Sequence, residues 1–195
     1  MTRALDIVLA AVALIVLSPL LAVAAVAIRL ESRGAVIYRH RRIGRHGEPF
    51  ELLKLRTMVQ GAENMGAGLY IEDRDSRITR TGRLLRRFSL DELPNLVNVL
   101  LGDLALVGPR PTVSEQVEAY TERQRRRLEV RPGITGWAQV NGRASLPWPE
   151  RIELDIWYVE HRSLALDLRI IARTIKLLVT GRGLYSQDLR QGWGD

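Results

Sequence analysis

Ser89–Pro111 reads SLDELPNLVNVLLGDLALVGPRP, and the rest of the chain is organised around it. Two adjacent carboxylates, Asp91 and Glu92, follow a basic run of Arg83, Arg86 and Arg87, and the stretch ends with Arg110 between two prolines. Carboxylates flanked by fixed cations suit phosphate chemistry, because the cations neutralise an anionic substrate and let a carboxylate approach phosphorus. Ser89-x-x-Glu92 is equally a capping box for a helix, with Leu90, Leu93, Leu96, Val97, Leu100 and Leu101 at helical spacing behind it. The two roles are compatible, since a helix N-terminus itself attracts anions. Pro94 lies beyond the first turn of such a helix and removes a hydrogen bond, so the helix should start later or bend there.

Working outward, Arg77–Phe88 reads as a basic amphipathic helix feeding the Asp-Glu pair, and Ser114–Glu129 as a second helix with Arg123, Arg125, Arg126 and Arg127 on a solvated face. Gly34–Tyr38 and Phe50–Leu55 have the branched and aromatic residues of short strands, with a basic, glycine-punctuated turn between them. Residues 60–75 read as a mobile loop whose acids Glu72, Asp73 and Asp75 are solvated. Val130–Arg143, glycine-rich and irregular, offers Trp137, Gln139, Asn141 and Arg143 to a base or sugar. Glu150–Arg162 is expected to be a helix with Leu154, Trp157 and Tyr158 towards the core. Leu164–Thr180 is another, with Leu164, Leu168, Ile171, Ile175 and Leu178 on one face and Arg169, Arg173 and Lys176 on another. That basic strip also suits a helix lying on an anionic membrane surface. The tail from Gly181 should be loosely ordered.

The N-terminus carries no charge from Ile7 to Ile28, and Ser18 and Pro19 interrupt an otherwise aliphatic run. As a straight helix it would reach about 33 Å at ~1.5 Å per residue, enough for a bilayer core of roughly 30 Å. A cleaved signal peptide would have a shorter apolar core. A simple span and a re-entrant hairpin remain. Pro19 leaves halves too short to cross alone, Ser18 can bond the carbonyl that the proline frees, and arginines flank both ends (Arg3; Arg29, Arg33, Arg39, Arg41, Arg42). These features favour a hairpin entering and leaving one leaflet.

The 195 residues leave one globular domain beyond the apolar segment. With 29 Lys+Arg against 22 Asp+Glu the formal charge is +7, which suits phosphates or an anionic membrane. Cysteine is absent, so disulfides, thiol catalysis and cysteine-based zinc sites are excluded. The basic runs lack interleaved aromatics, which argues against a nucleic-acid partner. His40, His46 and His161 are scattered and read as surface or satisfied residues.

At the level of motifs the chain strongly resembles the bacterial sugar transferases, the monotopic polyprenyl-phosphate phosphoglycosyl transferases that initiate surface glycan assembly. The resemblance rests on the apolar segment with central Ser18-Pro19, KLRTM (Lys54–Met58), RITRTGRLLRRFSLDELPNLVNVLLGD (Arg77–Asp103), LVGPRP (Leu106–Pro111), RPGITGWAQVNGR (Arg131–Arg143) and ELDIWYV (Glu153–Val159). Leu104 and Ala105 stand where Met and Ser are usual. The resemblance implies the family's small form, a mainly α fold with a few short strands: residues 1–30 form a re-entrant membrane helix-hairpin, and 31–195 a catalytic domain with amphipathic interfacial helices on the cytoplasmic face of the inner membrane. It implies transfer of a sugar 1-phosphate from a UDP-sugar to polyprenyl phosphate with release of UMP, Mg²⁺ as cofactor, and membrane lipids as partners. The expected site has Asp91 as covalent nucleophile and metal neighbour, and Glu92 as its acid/base or metal-positioning partner. Arg86 and Arg110 would clamp phosphate, with Lys54, Arg56, Arg131 and Arg143 as further phosphate contacts. The donor sugar, the glycan pathway and any homo-oligomer stay open.

Two rivals stand beside this reading. In a membrane-anchored basic scaffold, Asp91 and Glu92 would be only a helix cap. A glycosidase needs carboxyl groups about 5 to 9.5 Å apart across the substrate, which neighbours on one turn are poorly placed to supply.

Overall fold

The computed structural model describes residues 2–65, 75–142 and 146–180. Glu72 and Asp73 of the acidic loop, Arg143 and the tail from Gly181 lie outside these residues. The architecture is mainly helical with two small two-stranded sheets, as expected.

Helix α1 (Arg3–Glu31) is a single element with Pro19 inside it. Proline 19 cannot donate to the Ile15 carbonyl, and the Ser18 hydroxyl donates there instead, at 2.8 Å. Ile7, Val8, Val12, Ile15, Val16, Val23, Val26 and Leu30 are exposed. Ala10, Ala24 and Ile28 are buried against the rest of the chain. By length and composition α1 can cross a membrane.

Both ends of α1 are held by the globular part through exchanged caps. Strand β1 (Ile37–Ile43) pairs antiparallel with β2 (Pro49–Leu55), which leads to α2 (Arg80–Arg87) and, past Pro94, to α3 (Asn95–Leu101). At one end of α1 the Arg3 guanidinium donates to the Val99 (2.5 Å), Leu100 (3.3 Å) and Leu104 (3.2 Å) carbonyls, capping α3. At the other, the Glu31 carboxylate accepts the Arg80 and Thr81 N–H groups of α2 at 2.7 and 2.8 Å. Thr79 caps α2 as well, accepting from Gly82 N–H. A Cβ on Gly82 would lie 2.0 Å from the Thr57 carbonyl oxygen, so only glycine lets α2 approach the exit of β2.

Asn98 docks α3 on the free edge of β2 as another strand's peptide would. Its Oδ1 accepts from Leu53 N–H (3.0 Å) and its Nδ2 donates to the Glu51 carbonyl (2.7 Å). Ala10, Leu52, Leu96, Val99 and Leu104 form the core beneath. Gly102, at φ +105°, ends α3 in the left-handed conformation that glycine adopts without strain.

The second sheet pairs β3 (Ala105–Val107) in parallel with β4 (Gly133–Thr135). The crossover carries α4 (Ser114–Glu118) and α5 (Glu122–Arg125). After β4 come α6 (Trp137–Val140), α7 (Trp148–His161) and α8 (Leu164–Thr180).

Several expectations are corrected. The capping box at Ser89 does not form: Ser89 sits at φ +54° with no side-chain cap, Leu90–Glu92 is a 3-10 turn, and the helix begins after Pro94. Arg39–Arg42 belong to β1 rather than a turn, because pairing with Pro49–Leu55 draws them into register. The 114–129 helix breaks at Tyr120, whose ring is buried, and restarts with a capping box at Thr121. The 130–143 stretch contains β4 and α6. In α7 Tyr158 is buried, but Trp157 is exposed and stacks between Trp137 and His161. In α8 the buried side is Asp167 and Ile170, whereas Leu164, Leu168 and Ile175 are exposed.

Candidate active site

The site lies where the β1–β2 hairpin, the 3-10 turn Leu90–Glu92 and the Pro109-Arg110-Pro111 turn meet. Opposed residues of an antiparallel pair point to one side of the ribbon. The register Tyr38↔Lys54, His40↔Leu52, Arg42↔Phe50 therefore sets Tyr38, His40, Arg42 and Lys54 on the same face. The arginine turn is pinned by backbone bonds on both flanks: Gly133 N–H to Pro109 O (2.9 Å), Gly108 N–H to Thr135 O (2.9 Å) and Ile43 N–H to Thr112 O (2.8 Å). A buried side chain holds it from below. Arg127 donates to the Arg110 carbonyl (3.0 Å) and pairs with Asp155 at 2.5 Å, both side chains being 2 % exposed.

Glu92 is the electrostatic centre. Its Oε1 accepts from Lys54 Nζ and from Arg110, each at 2.8 Å. Burial alone would raise its pKa, but Arg110 and Lys54 hold it well below the usual carboxylate range, so it is an anion. It also raises the pKa of Arg110.

Asp91 differs from its neighbour. Among the described residues no other residue donates a hydrogen bond to its carboxylate and none pairs with it within 4 Å. It feels Lys54 and Arg86 at longer range. Burial, and then the negative Glu92, push its pKa up. Adjacent carboxylates thus have different electrostatics: one locked by two cations, the other unengaged and more basic. A carboxylate that is basic, partly exposed and unengaged suits attack on phosphorus or the binding of a hard cation. No group of three or more acidic or histidine side chains arranged for a metal occurs among the described residues.

The other sequence candidates separate. Lys54 and Arg110 converge on Glu92. Arg86 lies near Asp91, its Nε donating to Thr57 Oγ1 at 2.8 Å. Arg56 binds the end of α1, donating to the Ser32 (2.7 Å) and Arg33 (2.8 Å) carbonyls. Arg131 donates to the Gly102 carbonyl at 3.0 Å. Ser18 and Pro19 lie in α1, outside this cluster. Sequence reading overlooked Arg42, Arg127 and Asp155. Period-2 alternation from Tyr38 through His40 would have found Arg42 had the strand been carried past Tyr38. Nothing local marks Arg127 and Asp155, which meet across 28 residues.

Comparison with known proteins shows the family. The bacterial sugar transferase family matches residues 1–181. The chain is 47 % identical over 161 residues to the uncharacterized sugar transferase EpsL of Bacillus subtilis, covering 83 % of this chain and 78 % of that one. It is 44 % identical over 191 residues to a UDP-glucose:undecaprenyl-phosphate glucose-1-phosphate transferase of Caulobacter vibrioides, covering 94 % of this chain and 71 % of that one. It is 41 % identical over 187 residues to a UDP-N-acetylgalactosamine-undecaprenyl-phosphate N-acetylgalactosaminephosphotransferase of Aeromonas hydrophila, covering 93 % of this chain but 44 % of that one. The chain belongs to the bacterial sugar transferase family.

Proposed function

We propose that this transferase moves a sugar 1-phosphate from a UDP-sugar to a polyprenyl phosphate, as the names of its relatives state for them. The observation that carries this is the unengaged Asp91 carboxylate beside a Glu92 locked by Lys54 and Arg110. An Asp91 oxygen attacks the β-phosphorus. The bond from that phosphorus to the bridging oxygen breaks, and UMP leaves with the electron pair. An oxygen of the lipid phosphate then attacks the same phosphorus and displaces the Asp91 carboxylate. Glu92 keeps Lys54 and Arg110 in place, so the cations are ordered before the substrate arrives.

Magnesium suits the residues present. It takes oxygen donors, commonly one or two carboxylates completed by substrate phosphates, and Asp91 offers such a donor. When bound it supplies charge neutralisation between the carboxylate and the diphosphate. UMP release assayed with polyprenyl phosphate and a panel of UDP-sugars tests the proposal and identifies the donor. No release with any donor would remove it.

Glu92→Gln should lower turnover about 10²- to 10³-fold, in the range seen when a polar group that orders the site is lost. The reactive form of Asp91 is the carboxylate, so activity falls as pH drops through its raised pKa. Removing the Glu92 charge takes away one cause of that rise and frees two cations. The acid limb of the residual activity should therefore move to lower pH, and a limb that stays put would contradict the pairing.

The α1 contacts support a re-entrant arrangement on one face of the membrane. Arg3 and Glu31 each grip the same globular body, and a straight span with its ends on opposite faces would have to break one set of caps. The chain has no cysteine, so labelling of single cysteines at Thr2 and Arg33, both exposed, is clean. Both should react with an impermeant reagent from the cytoplasmic side. Reaction from opposite sides would rule the hairpin out.

A further inference from the structure

The cations of the site outnumber the carboxylates that engage them, and the surplus lies on β1. Arg42 extends from the hairpin face that bears His40 and Lys54 into a cavity of ≈ 20 Å³. Glu92, Asn95, Arg110 and Gly133 are among its other walls. One terminal nitrogen of Arg42 donates to His40 Nδ1 at 3.2 Å. His40 can accept because it is neutral: burial, then Arg42 and Lys54, lower its pKa to about 4. Arg42 Nε is buried without a hydrogen-bond partner, and no carboxylate pairs with Arg42 among the described residues. Asn95, 3 % exposed, also has its amide Oδ1 buried without a partner. An amide can turn either end towards a ligand. Burial and the neighbouring Arg110 charge lower the Arg42 pKa to about 10, so it stays cationic at neutral pH.

Two guanidinium groups close enough to repel, bordering one small cavity with an unused donor, form an arrangement that is completed by an anion. Arg110 already gives one nitrogen to Glu92, whereas among the described residues Arg42 feels Glu92 and Glu115 only at longer range and pairs with neither. A cavity of this size admits about one oxygen atom. We propose that Arg42 is a further substrate-binding residue, and that the cavity it shares with Arg110 and Asn95 takes one phosphoryl oxygen of a substrate. This rests on the reading that a phosphate-bearing donor and acceptor meet at Asp91. The oxygen belongs either to the donor's diphosphate or to the acceptor's phosphate, and the chemistry is common to both.

The test uses the full chain in lipid nanodiscs. Titration with inorganic pyrophosphate needs no turnover, so it stands even if the assigned reaction fails. Arg42→Gln should bind pyrophosphate about 10- to 100-fold more weakly than wild type, and Arg42→Lys, which keeps the charge but loses the fork, should recover part of this. Asn95→Asp, which sets a carboxylate in the cavity wall, should weaken binding by a similar factor and covers the case in which Arg42→Gln does not fold. In the turnover assay, Arg42→Gln should raise KM at least 10-fold for one substrate while its melting temperature stays near that of wild type. A rise for the UDP-sugar assigns the oxygen to the donor, and a rise for polyprenyl phosphate assigns it to the acceptor. Pyrophosphate affinity within twofold of wild type in Arg42→Gln, or both KM values unchanged, would overturn the proposal.

Discussion

Asp91→Asn should abolish transfer, lowering UMP release by at least about 10⁴-fold, comparable to the loss of a covalent nucleophile in other enzymes. The substitution keeps the shape of the side chain and removes its charge. No neighbouring group can replace it. Glu92 is fixed in place through its Oε1, and the two cations that hold it lower its basicity, which makes it the weaker nucleophile of the pair. The asparagine variant should fold as well as wild type, because burial and the Glu92 charge both disfavour the aspartate anion. A variant that melts normally and retains more than about 1 % of wild-type turnover would show that the carboxylate is not the attacking group.

The second large effect lies beneath the arginine turn. Asp155→Ala leaves the Arg127 guanidinium buried and uncompensated, since both side chains are 2 % exposed and Asp155 is its ion-pair partner. Breaking such a pair costs roughly 3 to 5 kcal/mol. At about 2 to 4 °C per kcal/mol, the melting temperature should fall roughly 10 °C. Because Arg127 also donates to the Arg110 carbonyl, the turn that presents Arg110 to Glu92 should loosen and turnover should fall with stability. Replacing both partners, as Arg127→Met with Asp155→Leu, should recover much of the lost stability, since no charge is then stranded. It should not recover turnover, because the bond to Arg110 is still missing. Thermal melts and turnover measured on wild type and these two variants separate the two roles.

How far this architecture can be read from the residues depends on the range of the forces involved. Helices α2, α7 and α8 and strand β2 follow from local pattern and appear within a few residues of their expected limits. The interruption at Pro94 was legible too, because a proline's missing N–H is a local fact. The role of Ser18 follows from the same missing donor at Pro19. What sequence pattern misplaced was decided by partners far along the chain. Ser89 and Glu92 have the spacing of a capping box, yet Glu92 is drawn instead to Lys54 and Arg110, 38 and 18 residues away. The arginines of β1 look like turn residues until the register with β2 is known. The apolar stripe of α8 resembles a core face, but the helix turns Asp167 inward to accept from the Tyr158 hydroxyl, leaving Leu164 and Leu168 exposed. For the site, residue types in the Ser89–Pro111 stretch were enough to indicate Asp91, Glu92 and Arg110. Their unequal electrostatics, and the involvement of Arg42, required the fold.

The most direct measurement is the mass of the protein after incubation with a UDP-sugar alone, followed by sequencing of the peptide that contains Asp91. A covalent aspartyl route predicts an added phosphosugar on that residue, lost when polyprenyl phosphate is supplied and never formed in Asp91→Asn. An active enzyme that hands sugar phosphate to the lipid yet carries no adduct at Asp91 at any time after donor addition would contradict it.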